Sequence, residues 1–297
     1  MTDQPMVGPV AFIGLGMMGR PMAARLVAAG FEVRGADPVP EARQALEEAG
    51  GKAFATAREA AEGAAIVITM LPDGKVVRDS LLGEGGAADV LAPGALVIDM
   101  SSSAPLDTRS LAGDLAARGF ALIDAPVSGG VRRVHDGTLT IMVGGEAAAI
   151  ARAQPLLAAM GKAIIPTGPV GSGHAVKALN NYVSAAGLAA ACEAALIAER
   201  FGVDPAVLVD VLNVSTGKNN STEVKMKPFI LSGSFASGFS MALMAKDLRT
   251  AADLARQLGI GEAGTGGVAE LWAAASTALG RSADHTEIHR YLAGNDN

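Results

Sequence analysis

Cysteine is almost absent from this chain: Cys192 stands alone among 297 residues, so no internal disulfide is possible. It lies in the Ala-rich run Leu188 to Ala198, where a buried thiol behaving as a small apolar side chain is expected. Histidine is scarce as well. His135, His174, His285 and His289 stand far apart or lack partners at metal-ligand spacing, so no metal site is expected. His285 and His289 do fall at i, i+4, but Asp284 and Glu287 lie off the face they share, which reads as a solvated surface. Basic runs are missing: the longest is Arg132-Arg133, and a net charge of −6 argues against a nucleic-acid partner. Met1-Thr2-Asp3-Gln4-Pro5 has no basic region ahead of the first apolar segment, so no signal peptide is expected. The most apolar long stretch, Tyr182 to Ala198, is mainly alanine with Ser184 and Glu193 inside, which sets it below a membrane span. These absences leave a soluble, cytoplasmic protein, long enough for two domains of ordinary size and 50% apolar, ample for their cores.

What is present falls into two halves. Val10-Ala11-Phe12-Ile13 has strand character and runs into Gly14-Leu15-Gly16-Met17-Met18-Gly19, followed by a helical pattern through Met22, Leu26 and Val27 that stops at Gly30. Strand, G-x-G-x-x-G, helix is a dinucleotide cradle. The first glycine permits the turn, the second lets backbone approach a pyrophosphate, and the third lets helix and strand pack closely. The helix start then offers unpaired N–H groups and a positive dipole end to phosphate. A second strand, Glu32 to Ala36, ends at Asp37, whose carboxylate can accept from a ribose hydroxyl and repels a 2′-phosphate. NAD is therefore favoured over NADP, with nearby Arg34 the one residue that could accommodate the extra phosphate.

Alternation continues with apolar strands at Ala65–Met70, Leu96–Asp99, Ala121–Asp124, Thr140–Val143 and Ala163–Pro166. Helical segments near Glu41–Ala49, Lys75–Leu82, Leu106–Arg118 and Ala147–Met160 lie between them. This is α/β, a doubly wound sheet whose strand ends, at Leu71-Pro72, Ser101-Ser102 and Ala125-Pro126, line the ligand crevice. Ser128-Gly129-Gly130 reads equally as an anion-binding hydroxyl with free backbone N–H groups or as an ordinary glycine turn.

From Gly171 strand signals stop. Helices are expected at Ala175–Phe201, Pro205–Val214, Thr222–Leu231, Met241–Leu258, Val268–Leu279 and Asp284–Leu292, giving an all-α second domain. The boundary falls at 168/169, between a dinucleotide-binding domain (1–168) and a helical substrate and dimerisation domain (169–297). The first of these helices is apolar nearly all round, which calls for burial on several sides and so for a homodimer or homotetramer. Near its start Lys177, Asn180 and Asn181 share one face, a lysine beside amides at the point where the architecture changes. Lys246-Asp247 reads as a surface charge pair, and Lys218-Asn219-Asn220-Ser221 as a polar loop or helix cap.

Taken together, Phe12 to Ala23, Asp99-Met100-Ser101-Ser102, Asp124 to Gly130 with Gly137-Thr138-Leu139, Gly171 to Asn181, and Lys246-Asp247-Leu248 resemble the β-hydroxyacid dehydrogenase family. Its members include 3-hydroxyisobutyrate dehydrogenase and tartronate semialdehyde reductase. The resemblance covers essentially the whole chain and implies a Rossmann-type N-terminal domain, a helical C-terminal domain and an active site between them. It implies further that Lys177 is catalytic, with Asn181 its amide helper and Asn180 alongside. Ser128, Gly129 and Gly130 would hold a substrate carboxylate. Leu71, Pro72 and Ser102 would line the NAD site with Gly14, Leu15, Gly16, Met17, Met18, Gly19 and Asp37, and Lys246 would close over the cofactor. The activity implied is NAD-dependent oxidation of a small 3-hydroxy acid, or reduction of tartronate semialdehyde. A redox-silent NAD-binding protein is the alternative of another class, and the presence of Lys177 argues against it. Ser102 stands where the family often has threonine and Val134 where alanine is common. The loop Ser215 to Ser221 matches no single substrate.

Overall fold

The structure is a computed structural model that describes residues 8–294. The chain divides into two compact units between Lys177 and Ala178. Unit 1 opens with β1 (Val10–Ile13), α1 (Gly19–Ala28), β2 (Val33–Ala36), α2 (Pro40–Glu48), β3 (Lys52–Phe54), α3 (Ala57–Ala61), β4 (Ile66–Thr69) and α4 (Gly74–Leu82). It continues through β5 (Leu96–Asp99), α5 (Pro105–Ala116), β6 (Ala121–Asp124), β7 (Val127–Ser128), α6 (Gly130–His135), β8 (Leu139–Gly144), α7 (Ala147–Met160) and β9 (Gly161–Gly168).

These strands form one sheet in the order β3-β2-β1-β4-β5-β6-β8-β7, with β9 beside β8. From β3 to β6 every pairing is parallel, and the order reverses direction after β1, as a doubly wound fold requires. At β8 the sheet departs from an all-parallel pattern: β6 and β7 pair with it antiparallel. Period-2 alternation explains the two cores. Val10, Phe12, Ile66, Ile68, Leu96 and Ile98 point to one face of the sheet, while Ala11, Ile13, Val67 and Val97 point to the other. Both faces are covered, which is why the strands read as unbroken apolar runs. Strands β3 and β7 are too short to carry such a signal, and the short α6 is not among the helices expected from the sequence.

Helix α8 (Ser172–Phe201) begins in unit 1 and runs into unit 2, which adds α9 (Pro205–Val214), α10 (Asn220–Val224), α11 (Met241–Gln257), α12 (Thr265–Leu279) and α13 (Ile288–Leu292). The helix expected over Thr222–Leu231 is interrupted: α10 stops at Val224 and a π-helical turn covers Met226–Leu231. Pro228 inside that turn has no N–H to donate and crowds the preceding carbonyls, so a regular helix cannot continue through it. Asn219 caps α10, its side-chain oxygen accepting from Ser221 and Thr222 N–H groups at 2.8 and 3.1 Å.

By length and composition α8 is apolar enough to cross a membrane, with a mean hydropathy of 1.3 over its most apolar window, as the core helix of a folded domain also can be. Its Ala185, Leu188, Ala191, Cys192 and Ala195 belong to the buried core of unit 2, with Trp272, Met226 and Leu248. Burial is confined to one side, however, rather than surrounding the helix: Val183, Ile197 and Phe201 are exposed. Burial pushes the Cys192 thiol up to about 12, so it stays protonated.

The solvated histidine face is a misreading. His285 is buried, its ring edge-on to Phe239 and stacked on Trp272, and its Nδ1 lies 2.9 Å from the Ser237 hydroxyl. His289 is half-buried, and burial lowers its pKa. Helical spacing shows which residues share a face but not what packs against that face. Asp284 is part of the same cluster, accepting from Gly238 N–H at 2.8 Å, Ser237 Oγ at 2.8 Å and Thr286 N–H at 2.9 Å. Burial works to raise its pKa, but hydrogen bonds from His285, Thr286 and Ser237 outweigh that and hold the carboxyl well below the usual range. Ionised Asp284 thus contributes stability that is fully present above its ordinary value of 3.8 and is lost as pH falls towards the depressed folded-state value. Asp284→Asn should lower the melting temperature at neutral pH, and the gap to wild type should close in acid. A gap that stays constant down the acid limb would contradict the assignment.

Candidate active site

The glycine turn after β1 has the geometry that a pyrophosphate needs. Gly14 has φ +97°, and a methyl on its Cα would run into the Met70 carbonyl of the neighbouring strand. A methyl on Gly19 would strike the Gly14 carbonyl, so helix and strand meet with no room for a side chain. At Gly16 the result is the opposite: nothing lies within 4 Å of the position a Cβ would take, leaving backbone open to a ligand. Met18 precedes α1 without a side-chain cap and no acidic side chain occupies the first turn, so the positive end of the helix dipole is uncompensated, although Arg20 N–H already donates to the Gly16 carbonyl at 3.1 Å and Pro21 has no N–H. Leu15 is buried under the turn and Met17 is exposed beside it.

Asp37 follows β2 with its carboxylate tied down by two backbone donors, Leu15 N–H to Oδ2 at 2.8 Å and Val39 N–H to Oδ1 at 2.9 Å. Each oxygen keeps a lone pair for a ribose hydroxyl. Arg34 donates to the Glu62 carbonyl at 2.9 Å and pairs with Glu32 at 3.5 Å, so its guanidinium is already engaged. The guanidinium nearer Asp37 is that of Arg43, bonded to the Asp37 and Pro38 carbonyls at 2.7 and 2.9 Å. These residues fit a bound NAD: an open cradle, an uncapped helix start and an oriented carboxylate.

The strand ends bearing Leu71, Pro72 and Ser102 sit over a buried polar network. Leu71 N–H donates to Ser101 Oγ at 2.9 Å. Below it Asp99 accepts from Thr69 Oγ1 at 2.9 Å, Ser101 N–H at 3.0 Å and Ser103 Oγ at 2.8 Å. Asp124, at the end of β6, accepts from Gly171 and His174 N–H at 2.6 and 2.8 Å and so caps the start of α8. Burial pushes the Asp124 carboxyl up from its ordinary value, against the opposing pull of the backbone N–H groups it accepts from. His174 is buried between Thr108 Oγ1 at 2.8 Å and the Ser101 carbonyl at 3.1 Å. Sequence reasoning passed over Asp99, Asp124 and His174 as site residues. The available signal was the repeated apolar-Ile-Asp ending of β5 and β6, two carboxylates at equivalent strand ends.

Ser128 ends β7, paired across to Thr140, and Gly129 and Gly130 follow with φ +132° and +65°. Both are conformations that glycine alone adopts freely, so the turn needs them whatever it binds. The Arg133 side chain packs over Gly129, and Val134 is buried in the sheet core, which accommodates the larger side chain at that position.

Lys177 lies one turn into α8 past His174 and is half-buried. In unit 2, the buried Asn181 donates from Nδ2 to Asp247 Oδ2 at 2.6 Å and accepts from Asn180 at 3.1 Å. Asp247 is therefore no surface charge: its side chain is 4% exposed, and it pairs with Lys246 at 3.3 Å. Among the described residues no group of three or more His, Cys, Asp or Glu side chains could hold a metal ion.

Residues 9–168 match the family profile of the NAD-binding domain of 6-phosphogluconate dehydrogenase. Residues 171–292 match the profile for the NAD-binding region of NADP-dependent 3-hydroxyisobutyrate dehydrogenase. The chain is 41% identical over 250 residues to 3-sulfolactaldehyde reductase of Escherichia coli (strain K12), covering 84% of each protein. It is 40% identical over 253 residues to the NAD-dependent L-serine dehydrogenase of Pseudomonas aeruginosa, covering 83% of this chain and 85% of that one. The solved structure of Mycobacterium tuberculosis 3-hydroxyisobutyrate dehydrogenase with L-serine superposes with a TM-score of 0.88 at 36% identity, over 97% of this chain and 99% of that one.

Proposed function

The chain belongs to the β-hydroxyacid dehydrogenase family and is an NAD-dependent hydroxyacid dehydrogenase; from that premise we propose that it reversibly oxidises a small 3-hydroxy acid of the 3-hydroxyisobutyrate type to its semialdehyde, with Lys177 as general acid–base. The observation that carries this reading is the start of α8. Asp124 and His174 tie its first turn to the strand ends of the cofactor fold, and Lys177 follows one turn later. NAD, when bound, accepts the hydride that leaves the hydroxyl-bearing carbon.

The Lys177 amine takes the hydroxyl proton as that C–H bond breaks and the carbonyl forms. In the reverse direction its ammonium polarises the carbonyl and returns the proton. Asn181, whose amide nitrogen is committed to Asp247 and whose carbonyl oxygen accepts from Asn180, keeps the second lone pair of that oxygen for orienting Lys177 or the substrate hydroxyl. Ser128 and the N–H groups of Gly129 and Gly130 receive the carboxylate. Ser102, Leu71 and Pro72 would hold the nicotinamide end of NAD, and Lys246 is the further residue assigned to the cofactor.

The substituent at C2 is methyl in 3-hydroxyisobutyrate, hydroxyl in glycerate and amino in serine. L-Serine is the second reading, favoured by the relative named for it and by the solved relative that holds it. Initial rates of NADH formation from 3-hydroxyisobutyrate, D-glycerate, L-serine, L-threonate and 4-hydroxybutyrate test the assignment. One 3-hydroxy acid should stand out in kcat/KM. Turnover of 4-hydroxybutyrate alone would refute the 3-hydroxy class.

The same proposal makes the enzyme a cytoplasmic homodimer or homotetramer. Its support is the set of large apolar side chains that one copy leaves exposed on α8 and α9, including Val183, Phe201, Val207 and Val214. Phe201 is 85% exposed, unusual for so large an apolar side chain in a protomer that stays alone. Sedimentation should give a multiple of the 29.8 kDa chain mass, and Val183→Glu with Phe201→Glu should shift it towards the protomer. A wild-type protein sedimenting as one chain would refute the assembly.

A further inference from the structure

His174 is the one histidine of unit 1 that is fully buried, and both its ring nitrogens have partners. The Ser101 carbonyl can only accept, so Nε2 carries the proton across that 3.1 Å contact. Opposite Nδ1, at 2.8 Å, is the Thr108 hydroxyl, whose single proton is open to Nδ1 because the alternative acceptor, the Ala104 carbonyl at 3.1 Å, already accepts from Thr108 N–H at 3.0 Å. The nearby carboxylates do not require an imidazolium. Asp99 and Asp124 each stand 3.8 Å from a ring nitrogen, but Asp99 already has three donors and Asp124 two backbone N–H groups. The neutral ring, protonated at Nε2 and accepting from Thr108 at Nδ1, satisfies every group and places no further charge in a buried site.

The ring also joins elements that local sequence does not connect. Ser101, which accepts from Leu71 N–H through its hydroxyl, accepts from His174 Nε2–H through its carbonyl, while Thr108 belongs to α5. Gly173, beside His174, has no room for a methyl against the Met142 carbonyl and Asp124, so the first turn of α8 is pressed onto the sheet. Lys177 lies three residues past His174, on the same helix face.

We propose that His174 is a positioning residue for Lys177: as a neutral imidazole it pins the first turn of α8 to the strand ends bearing Leu71 and Ser102, and so fixes where the lysine amine stands. The proposal rests on the assignment of Lys177 as general acid–base. The charged groups around the ring are Asp99 from β5, Asp124 from β6, Arg109 from α5, which donates to the Val170 carbonyl at 3.2 Å, and Lys177 on its own helix.

The test compares His174→Gln and His174→Leu in the full-length enzyme, with kcat, KM and the pH profile of each. Glutamine keeps one donor for Ser101 and one acceptor for Thr108 but cannot take a charge. It should retain kcat within about threefold with the wild-type pH profile. Leucine fills the volume without the bonds, and its kcat per folded site should fall roughly ten- to hundredfold, the scale of a misplacement near 1 Å. KM for NAD should hold in both. If His174→Leu does not fold, Thr108→Val replaces it and should lower kcat severalfold with KM for NAD unmoved. Full kcat in the apolar variants would overturn the proposal. Glutamine failing as badly as leucine, with a shifted pH profile, would overturn the neutral role in favour of proton transfer by His174. Activity surviving in Lys177→Ala is a separate outcome that removes the premise instead.

Discussion

Lys177→Ala is expected to lower NADH formation by about 10²- to 10⁴-fold, the contribution that a positioned acid–base makes to a proton transfer. Its NAD dissociation constant should stay within about threefold, or roughly 0.7 kcal/mol, of the parent value. The separation follows from geometry. The glycine turn, Asp37 and the start of α1 are built from β1, β2 and their loops, and Lys177 contributes to none of them. Lys177→Arg sharpens the test: a guanidinium keeps the charge but cannot give up its proton, so oxidation should fail while the charge near the substrate persists. Rates measured beside NAD titrations decide it. An alanine variant within tenfold of wild type would remove Lys177 from the chemistry.

Two glycine variants should fail in opposite ways. In Gly16→Ala the added methyl meets no protein atom within 4 Å, so the fold should melt as before. That same methyl stands where a pyrophosphate must approach the backbone, and NAD affinity should fall about ten- to hundredfold, roughly 1.4–2.7 kcal/mol. In Gly19→Ala the methyl is driven into the Gly14 carbonyl, which is backbone and held by the turn. That variant should lose about 1–3 kcal/mol of stability or more, as overpacked sites do, before any cofactor is added. Thermal melts with and without NAD separate the two. A Gly16→Ala protein that binds NAD like the parent would mean that the phosphates lie elsewhere.

What sequence revealed and what it hid divides along sequence distance. The strands β1, β4, β5 and β6 announce themselves because a strand buried on both faces is apolar at every position. The glycine turn and Asp37 are legible because their geometry is local, within one strand–helix–strand unit. His174 is different: its partners lie on the loop after β5, at the end of β6 and on α5, and no helical or strand period connects them. Asp247 reads as a surface charge for the same reason, since the partner that buries it, Asn181, is brought to it only by folding. Spacing on one element places His285 and His289 in solvent, but Trp272 and Phe239, which cover His285, arrive from elsewhere in the chain. The π-helical turn at Met226–Leu231 had a visible cause in Pro228, which a reading based on apolar periodicity overrode.

The most direct measurement is the fate of a deuterium label. 3-Hydroxyisobutyrate deuterated at its hydroxyl-bearing carbon would be incubated with enzyme and NAD, and the reduced nicotinamide analysed by mass and NMR. A labelled D-glycerate and L-serine would be run alongside. The account predicts deuterium at C4 of the nicotinamide from at least one of the three, with the transfer lost in Lys177→Ala. Enzyme that binds NAD yet moves no label from any of them would contradict it.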